Sequence, residues 1–442
     1  MELKHFKKGG IHPHDSKYTS DKPITNAHLP KIVRIPMNMH IGAPAKVLVK
    51  AGDKVEEGQL IGEAVGFISA NIHASVSGTV TAVEKADTLT AKGVEYVIIE
   101  TGGTIRNWYD RKFDYSKLPG EKLLEMVKTA GIVGMGGATF PTHVKLSPPK
   151  EKKMDLFILN GAECEPYLTI DHRLMLEKPD EIVEGIGIVK KILGINKVMI
   201  GIEENKLDAI EAMSKASAGD SSIEVYALRT RYPQGGEKQL IEALTGKQVP
   251  SGGLPSDIGA VVQNVATVYA IYEAVVYQKP LIERGLTFTG ENVENRGNYK
   301  VRIGSPVQEL IDEFGIPADH GSVIAGGPMM GLELTDMKFP VTKSSSGIVV
   351  LTKKQDYIPH DYSCIRCARC QFVCPIGLEP WYLKVLVDKS LLEEAVDRGL
   401  LDCIECGSCS FVCPSTIPLV AMFRFGKGFW RRKQAAAAKQ AG

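Results

Sequence analysis

The chain has 442 residues, 44% of them apolar and 24% charged, with a formal net charge of +1. That length exceeds one ordinary core and implies about three domains. The balanced charge excludes a basic nucleic-acid footprint, so no nucleic-acid partner is expected, and the apolar share excludes a disordered chain.

The opening "MELKHFKKGGIHPHDSK" has no apolar stretch, so no secretory signal is expected. Residues 30 to 100 read as short β-prone runs broken by glycine, "AKVLVKAGDKVEEGQLIGEAV" and then "ANIHASVSGTVTAVE". This turn spacing predicts a small all-β sandwich or barrel. The stretch resembles a biotinyl/lipoyl-type barrel (V-x-x-G-D-x-V-x-x-G-Q, later S-G-x-V). That family carries its prosthetic group on a hairpin lysine. No lysine occurs here between Lys54 and Lys85, so an unmodified, structural barrel is expected.

From about residue 120 the period changes. "KLLEMVKTAG" is helical, "MDLFILNGAE" a buried strand and "DEIVEGIGIVKKILG" an amphipathic helix. "KVMIGIE", "KLDAIEAMSKA" and "IEVYAL" continue as strand, helix and strand. Such alternation predicts a parallel sheet covered by helices. "IGAVVQNVATVYAIYEAVVY" is the most apolar run, yet it holds Gln263, Asn264 and Glu273. A buried helix is therefore expected, not a membrane span, and any membrane contact must be peripheral. Residues 286 to 352 turn β-rich again around "PVQELIDEFG" and resemble the β-grasp ligand-binding module called SLBB.

Eight of the nine cysteines lie in "CIRCARCQFVCP" and "CIECGSCSFVCP", each C-x2-C-x2-C-x3-C-P. Clustered cysteines in a chain without an export signal read as metal ligands. This run is the bacterial iron–sulfur spacing, and structural zinc pairs are the weaker alternative. In two-cluster ferredoxins the fourth cysteine of each run serves the other cluster. By that likeness Cys364, Cys367, Cys370 and Cys413 hold one [4Fe-4S] cluster. Cys403, Cys406, Cys409 and Cys374 hold the second.

Single-electron carriers need a supplier, and three upstream stretches offer one. "GMGGATFPTHVK" sets glycine amides and Lys145 where a phosphate could bind. "NGAECEP" follows a strand, at the end where α/β ligands bind. "YPQGGEKQ" places Gly235 and Gly236 before a helix whose N-terminus favours anions. With "VVQNVAT", these four occur in the order found in the flavin- and NADH-binding subunit of respiratory complex I, which they resemble. The resemblance implies that Gly134, Gly136, Gly137 and Lys145 hold the FMN phosphate and ribityl. It also implies FMN contacts from Asn160, Asn264 and Thr267; Gly235, before its helix N-terminus, is a further cofactor-binding candidate. Glu163, Glu165, Phe140 and Glu237 would line the nicotinamide nucleotide. Met135, Ala162 and Gly236 depart from that family's Arg, Asp and Glu. Cys164 lies inside the site, as a small buried filler or as a redox thiol.

Barrel, flavin domain, SLBB and twin cysteine runs, in that order after "FKKGGIHPHDSK", resemble the RnfC components of Rnf complexes. The resemblance implies a peripheral subunit on the cytoplasmic face of the bacterial cell membrane. It would exchange electrons between NAD(H), FMN and two [4Fe-4S] clusters. Other subunits would deal with ferredoxin and translocate Na+ or H+. A flavin and iron–sulfur corrinoid reductase is the nearest rival, though its barrel follows the clusters. A non-catalytic electron-relay subunit is the other.

The expected architecture is therefore multidomain α/β. Its parts are a β barrel-sandwich (1–110), a Rossmann-like α/β flavin domain (111–285) and a β-grasp SLBB module (286–352). A helical two-cluster ferredoxin-like domain (353–425) and a basic, disordered tail (426–442) complete it. Within that last stretch "RFGKGFWRRK" mixes aromatic and basic residues, fitting either a peripheral membrane dock or a solvated chain end.

Overall fold

Parallel strands Leu156–Gly161, Val198–Glu203, Ile223–Leu228 and Ala260–Asn264 form the central sheet. A computed structural model describes residues 3–149, 151–356 and 362–441 of the chain. Segment 357–361, early in the expected cluster domain, and the final residue of the expected tail lie outside the described residues. The sheet's spatial order places Leu156–Gly161 between Val198–Glu203 and Ala260–Asn264, with Ile223–Leu228 at the far edge. Both faces are covered by helices, which is why the strands read as unbroken apolar runs. Pro179–Leu193 and Val265–Val276 pack together, and Ile182, Ile186, Val189, Val268, Ile271 and Val275 are buried. Each such side chain contributes roughly 1.5–3 kcal/mol relative to exposure.

The expected single helix over "IGAVVQNVATVYAIYEAVVY" is corrected. Its first part is strand Ala260–Asn264, and only then does helix Val265–Val276 begin. Asn264 makes the break, because its side chain accepts the Ala266 N–H as an N-cap.

The barrel has two antiparallel sheets. Ile32–Pro36, Val94–Thr101, Gly78–Ala86 and Lys54–Val55 make one; Lys46–Val47, Leu60–Glu63 and Ile72–His73 make the other. Its first strand begins at Ile32. The preceding segment runs across other parts. Lys4 bridges Leu228, Ile11 bridges Tyr232, and Ile24–Asn26 pairs in parallel with Gly297–Arg302. That last pairing adds an edge strand to the β-grasp sheet, whose other members are Glu283–Thr289, Gly347–Thr352, His320–Ala325 and Leu332–Glu333. Helix Val307–Phe314 covers it through Val307, Leu310 and Phe314.

Around the twin cysteine runs lie short helices. Pro380–Asp388 packs on the final helix Leu419–Ala441. The expected disordered tail is thus helical as far as Ala441. Its start is anchored by buried Phe423 and by Lys427 Nζ, which donates to Cys403 O at 2.5 Å and Glu405 Oε1 at 2.9 Å. Once nucleated, a run of alanines propagates a helix readily.

Candidate functional site

In an open parallel sheet, ligands bind where strand order reverses, beyond the carboxyl ends. Here that point lies between Leu156–Gly161 and Ala260–Asn264, whose register makes Asn160 and Asn264 direct neighbours. Asn160 donates to Gly235 O at 2.9 Å and accepts the Ala162 N–H, so it ties two site loops together. Asn264 donates to Asp171 Oδ2 at 2.6 Å.

The glycine-rich loop rises over this point. Its base is closed by the Gly134 N–H donating to Phe140 O at 2.8 Å and by a bridge between Val133 and Pro141. Among the described residues, the N–H groups of Gly136, Gly137, Ala138 and Thr139 find no acceptor. Four free amides on one loop are a ready anion cradle. A Cβ on Gly136 would strike the Asn264 side chain at 2.7 Å, so only glycine lets the loop sit this low, whereas Gly137 faces open space. Lys145, on the short helix Thr142–Lys145 that follows, donates to Glu237 Oε1 at 2.5 Å. Glu237 opens helix Glu237–Thr245 behind Gly235 and Gly236. The residues present therefore fit a phosphorylated, negatively charged cofactor: free amides, one cation and a helix N-terminus.

Other expected site residues stand differently. Thr267 is fully buried beneath the loop, and its hydroxyl accepts the Met135 N–H at 2.9 Å. The carboxylate of Glu163 is occupied by the N–H groups of Asp171 and His172, capping helix Ile170–Glu177. Glu165 turns to the β-grasp module and accepts the N–H groups of Met329 and Met330 at 3.1 and 2.9 Å. Burial pushes its carboxyl up to about 7. Both glutamates are thus committed to backbone amides, unlike the nucleotide-facing role expected for them. Phe140 is half-buried at the loop's base. Cys164 accepts the Gly235 N–H at 3.2 Å, and burial raises its thiol far above the ordinary range. A thiol held protonated is a packing group and a poor nucleophile.

Three residues at the site escaped sequence reasoning. Arg284, buried, donates to Met135 O at 2.7 Å and to Ser345 O, so it clamps the glycine loop to the β-grasp module. A cation thus stands beside Met135, where the complex I pattern carries arginine. Lys17 donates to the carbonyls of Glu163, Glu165 and Leu168 at 2.8, 2.9 and 2.6 Å, fixing the "NGAECEP" loop from the N-terminal segment. Asp171 keeps one buried oxygen without a partner among the described residues, and burial holds its carboxyl up at about 6. The only sequence cue was "HPHDSK" for Lys17; nothing marked the other two.

The cysteines assemble in two sets. Cys364, Cys367, Cys370 and Cys413 line one cavity, with Trp381, Ile417 and Leu419 around it. Cys374 lies instead with the second run. Burial, with smaller contributions from the nearby Cys406 and Cys374 thiols, raises the Cys403 thiol to about 11. Four convergent thiols per set suit an iron–sulfur cluster, whose charge would offset the cost of ionising them. The second set adjoins the flavin domain. Tyr232 donates to Cys406 O at 2.7 Å, and Ile11, Tyr232, Cys406, Cys164 and Met329 share one apolar cluster. The first set is more open, with Cys364 and Cys367 exposed.

Comparison with known proteins follows the same partition. Family models match as the RnfC barrel sandwich hybrid domain (residues 4–104), the Nuo51 FMN-binding domain (127–273), SLBB (286–333) and a 4Fe-4S dicluster domain (363–417). The chain is 48% identical over 412 residues to the RnfC protein of the proton-translocating ferredoxin:NAD(+) oxidoreductase complex of Clostridium ljungdahlii, covering 90% of this chain and 88% of that one. The chain belongs to the RnfC family. A second RnfC relative, from the Na(+)-translocating complex of Acetobacterium woodii, is 46% identical over 432 residues, covering 97% and 98%. A chain of an NAD+-reducing [NiFe]-hydrogenase shares the fold at a TM-score of 0.52 and 20% identity, over 70% of this RnfC chain and 62% of that one. As an RnfC protein with these domains, the chain carries FMN and two [4Fe-4S] clusters and is an oxidoreductase subunit. Among the described residues no helix is long and apolar enough to cross a membrane.

Proposed function

We propose that this chain is the NAD(H)-facing subunit of a ferredoxin:NAD+ oxidoreductase complex, on the cytoplasmic face of the membrane. It passes electrons between nicotinamide nucleotide and its partner subunits. The observation that carries this reading is the contact between Tyr232 and Cys406. It joins the segment flanking the flavin site to one of the two cysteine sets.

FMN, when bound, accepts hydride as an electron pair and releases electrons singly, which one-electron clusters require. The chain's own residues do the rest. The amides of Gly136 to Thr139 and Lys145 hold the cofactor phosphate. Thr267 and Arg284 fix the loop through the Met135 backbone, and Asn160 and Asn264 set the floor at the strand ends. Glu237 neutralises Lys145 before the cofactor binds and then faces the nucleotide. Apolar Ile11, Met329 and Cys164 keep water from the gap between flavin domain and second cysteine set. The arrangement supports an order in which that second set lies nearer the flavin and the exposed first set meets the partner subunits. Ferredoxin is met through those partners.

Anaerobic addition of NADH to freshly prepared, FMN-replete protein tests this. Reduced clusters should appear in the EPR spectrum, with NADH-to-ferricyanide activity. If FMN does not bind and NADH is not oxidised, the chain is a relay subunit instead.

A further inference from the structure

The barrel reaches the flavin site by one end. Its hairpin between Leu60–Glu63 and Ile72–His73 carries Gly66 and Phe67 at the tip. The tip is held in place. Ala43 donates its N–H to Ile68 O at 3.0 Å, Ser69 Oγ donates to Ala43 O at 2.9 Å, and the Ala70 N–H donates to His40 Nε2 at 3.1 Å. It is also fastened to the flavin domain. The Ile41 N–H donates to Thr139 O at 3.3 Å, Asn71 Nδ2 donates to Thr129 O at 3.2 Å, and the His143 ring lies against the Phe67 backbone. Thr139 closes the glycine cradle and His143 sits two residues before Lys145 on the same helix.

Yet the side chains at this braced tip are left in solvent. Phe67 is 69% exposed and Ile41 49%, with Val65 and Ile68 also exposed beside them. A well-ordered loop presenting several bare apolar side chains marks a contact surface. The facing lip of the cradle, Gly136 to Ala138, is exposed as well and carries no side chain larger than a methyl group.

We infer that the barrel tip forms the outer wall of the dinucleotide site, with Phe67, backed by Ile41, receiving the adenine ring of NAD(H). This rests on the proposed NAD(H)-facing function. For hydride transfer the nicotinamide must lie on the flavin ring, above the floor at Asn160 and Asn264. The pyrophosphate then carries the second flat ring outward, past a lip of glycine and alanine that offers it nothing to stack on. Phe67 is the exposed aromatic side chain on the hairpin bonded to the neighbouring barrel loop, whose Ile41 N–H meets Thr139 at the edge of this lip. The barrel's attachment ahead of the flavin domain thereby acquires a task in substrate binding.

The test compares wild type, Phe67→Ala and Phe67→Trp as full-length holoprotein. NADH and reduced nicotinamide mononucleotide, which lacks the adenylate half, serve as alternative donors to ferricyanide. Because the side chain is exposed, flavin content, cluster spectra and melting temperature should match wild type in both variants. Phe67→Ala should raise KM for NADH about tenfold, the order expected for losing one stacked base, with kcat little changed. KM for the mononucleotide should not move, and Phe67→Trp should restore NADH binding. An unchanged KM for NADH, or an equal rise for both donors, overturns the inference and leaves the tip as a surface for a partner protein. A wild-type holoprotein that oxidises neither donor overturns the underlying function itself.

Discussion

Lys145 and Glu237, expected on the phosphate and nucleotide sides of one site, form an ion pair with Nζ 2.5 Å from Oε1. Both side chains are partly exposed, at 29% and 39%, so the pair itself adds little stability. In the proposed function it holds a cation ready beside the free loop amides. Lys145→Met should weaken FMN binding by about 10- to 150-fold, from the roughly 1.5–3 kcal/mol of a charge-assisted hydrogen bond. Lys145→Glu should abolish retention of FMN and NADH-to-ferricyanide activity while both cluster signals remain. Glu237→Gln should keep FMN and shift only KM for NADH. Flavin fluorescence titration and steady-state kinetics report each. Flavin loss in the Gln variant comparable to that in Lys145→Glu would refute the division of roles.

Cys374 lies with Cys403, Cys406 and Cys409, while Cys413 lies with the first run. Cys374→Ala should therefore damage the cluster of the second run and spare that of Cys364, Cys367 and Cys370. EPR of the reduced protein distinguishes the two. Selective loss of the first-run cluster would mean each run ligates its own.

Glu165 carries a pH dependence. Burial raises its folded-state pKa to about 7 from an ordinary 4.5, against the opposing pull of two backbone N–H groups. The folded state then binds the proton more tightly than the unfolded chain. Its contribution is complete below about pH 4.5 and is lost as pH rises through about 7. The stability of wild type relative to Glu165→Gln should fall between pH 5 and 8 by at most about 3 kcal/mol, at about 1.4 kcal/mol per pKa unit. Paired melting curves across that range measure it, and a pH-independent difference would contradict the assignment.

The final helix separates two effects that a simple truncation would confuse. Removing everything after Met422 deletes buried Phe423 and Lys427, and so should cost the cluster domain itself. Phe425 and Phe429, at 63% and 45% exposure, are the proper probes of docking. Phe425→Ser with Phe429→Ser should lower recovery with membranes while both EPR signals persist. Full recovery would make this face an ordinary solvated one.

The barrel hairpin bears no lysine between Lys54 and Lys85. Intact mass should therefore show no lipoyl or biotinyl addition, and an added mass of either group would overturn this.

What the sequence determined by itself was local. The two runs of candidate ligands were legible because three of the four cysteines in each are separated by two residues, a spacing that a short wrapping loop imposes. The helix and strand alternation was legible because burial on one or both faces writes a period into adjacent residues. The glycine loop was legible for a similar reason, since a Cβ at Gly136 would collide with Asn264. Tertiary structure decided whatever joins distant segments. Arg284 reaches Met135 across 149 positions, and Lys17 reaches Glu163 across 146. Ile24–Asn26 enters a sheet whose partner strand begins at Gly297. Which carboxylates face a ligand and which are consumed by backbone amides was also decided there, as Glu163 and Glu165 show. Such pairings depend on which groups are buried together after collapse. Unpaired donors and acceptors then take whatever partner lies within reach, and no local pattern records that choice.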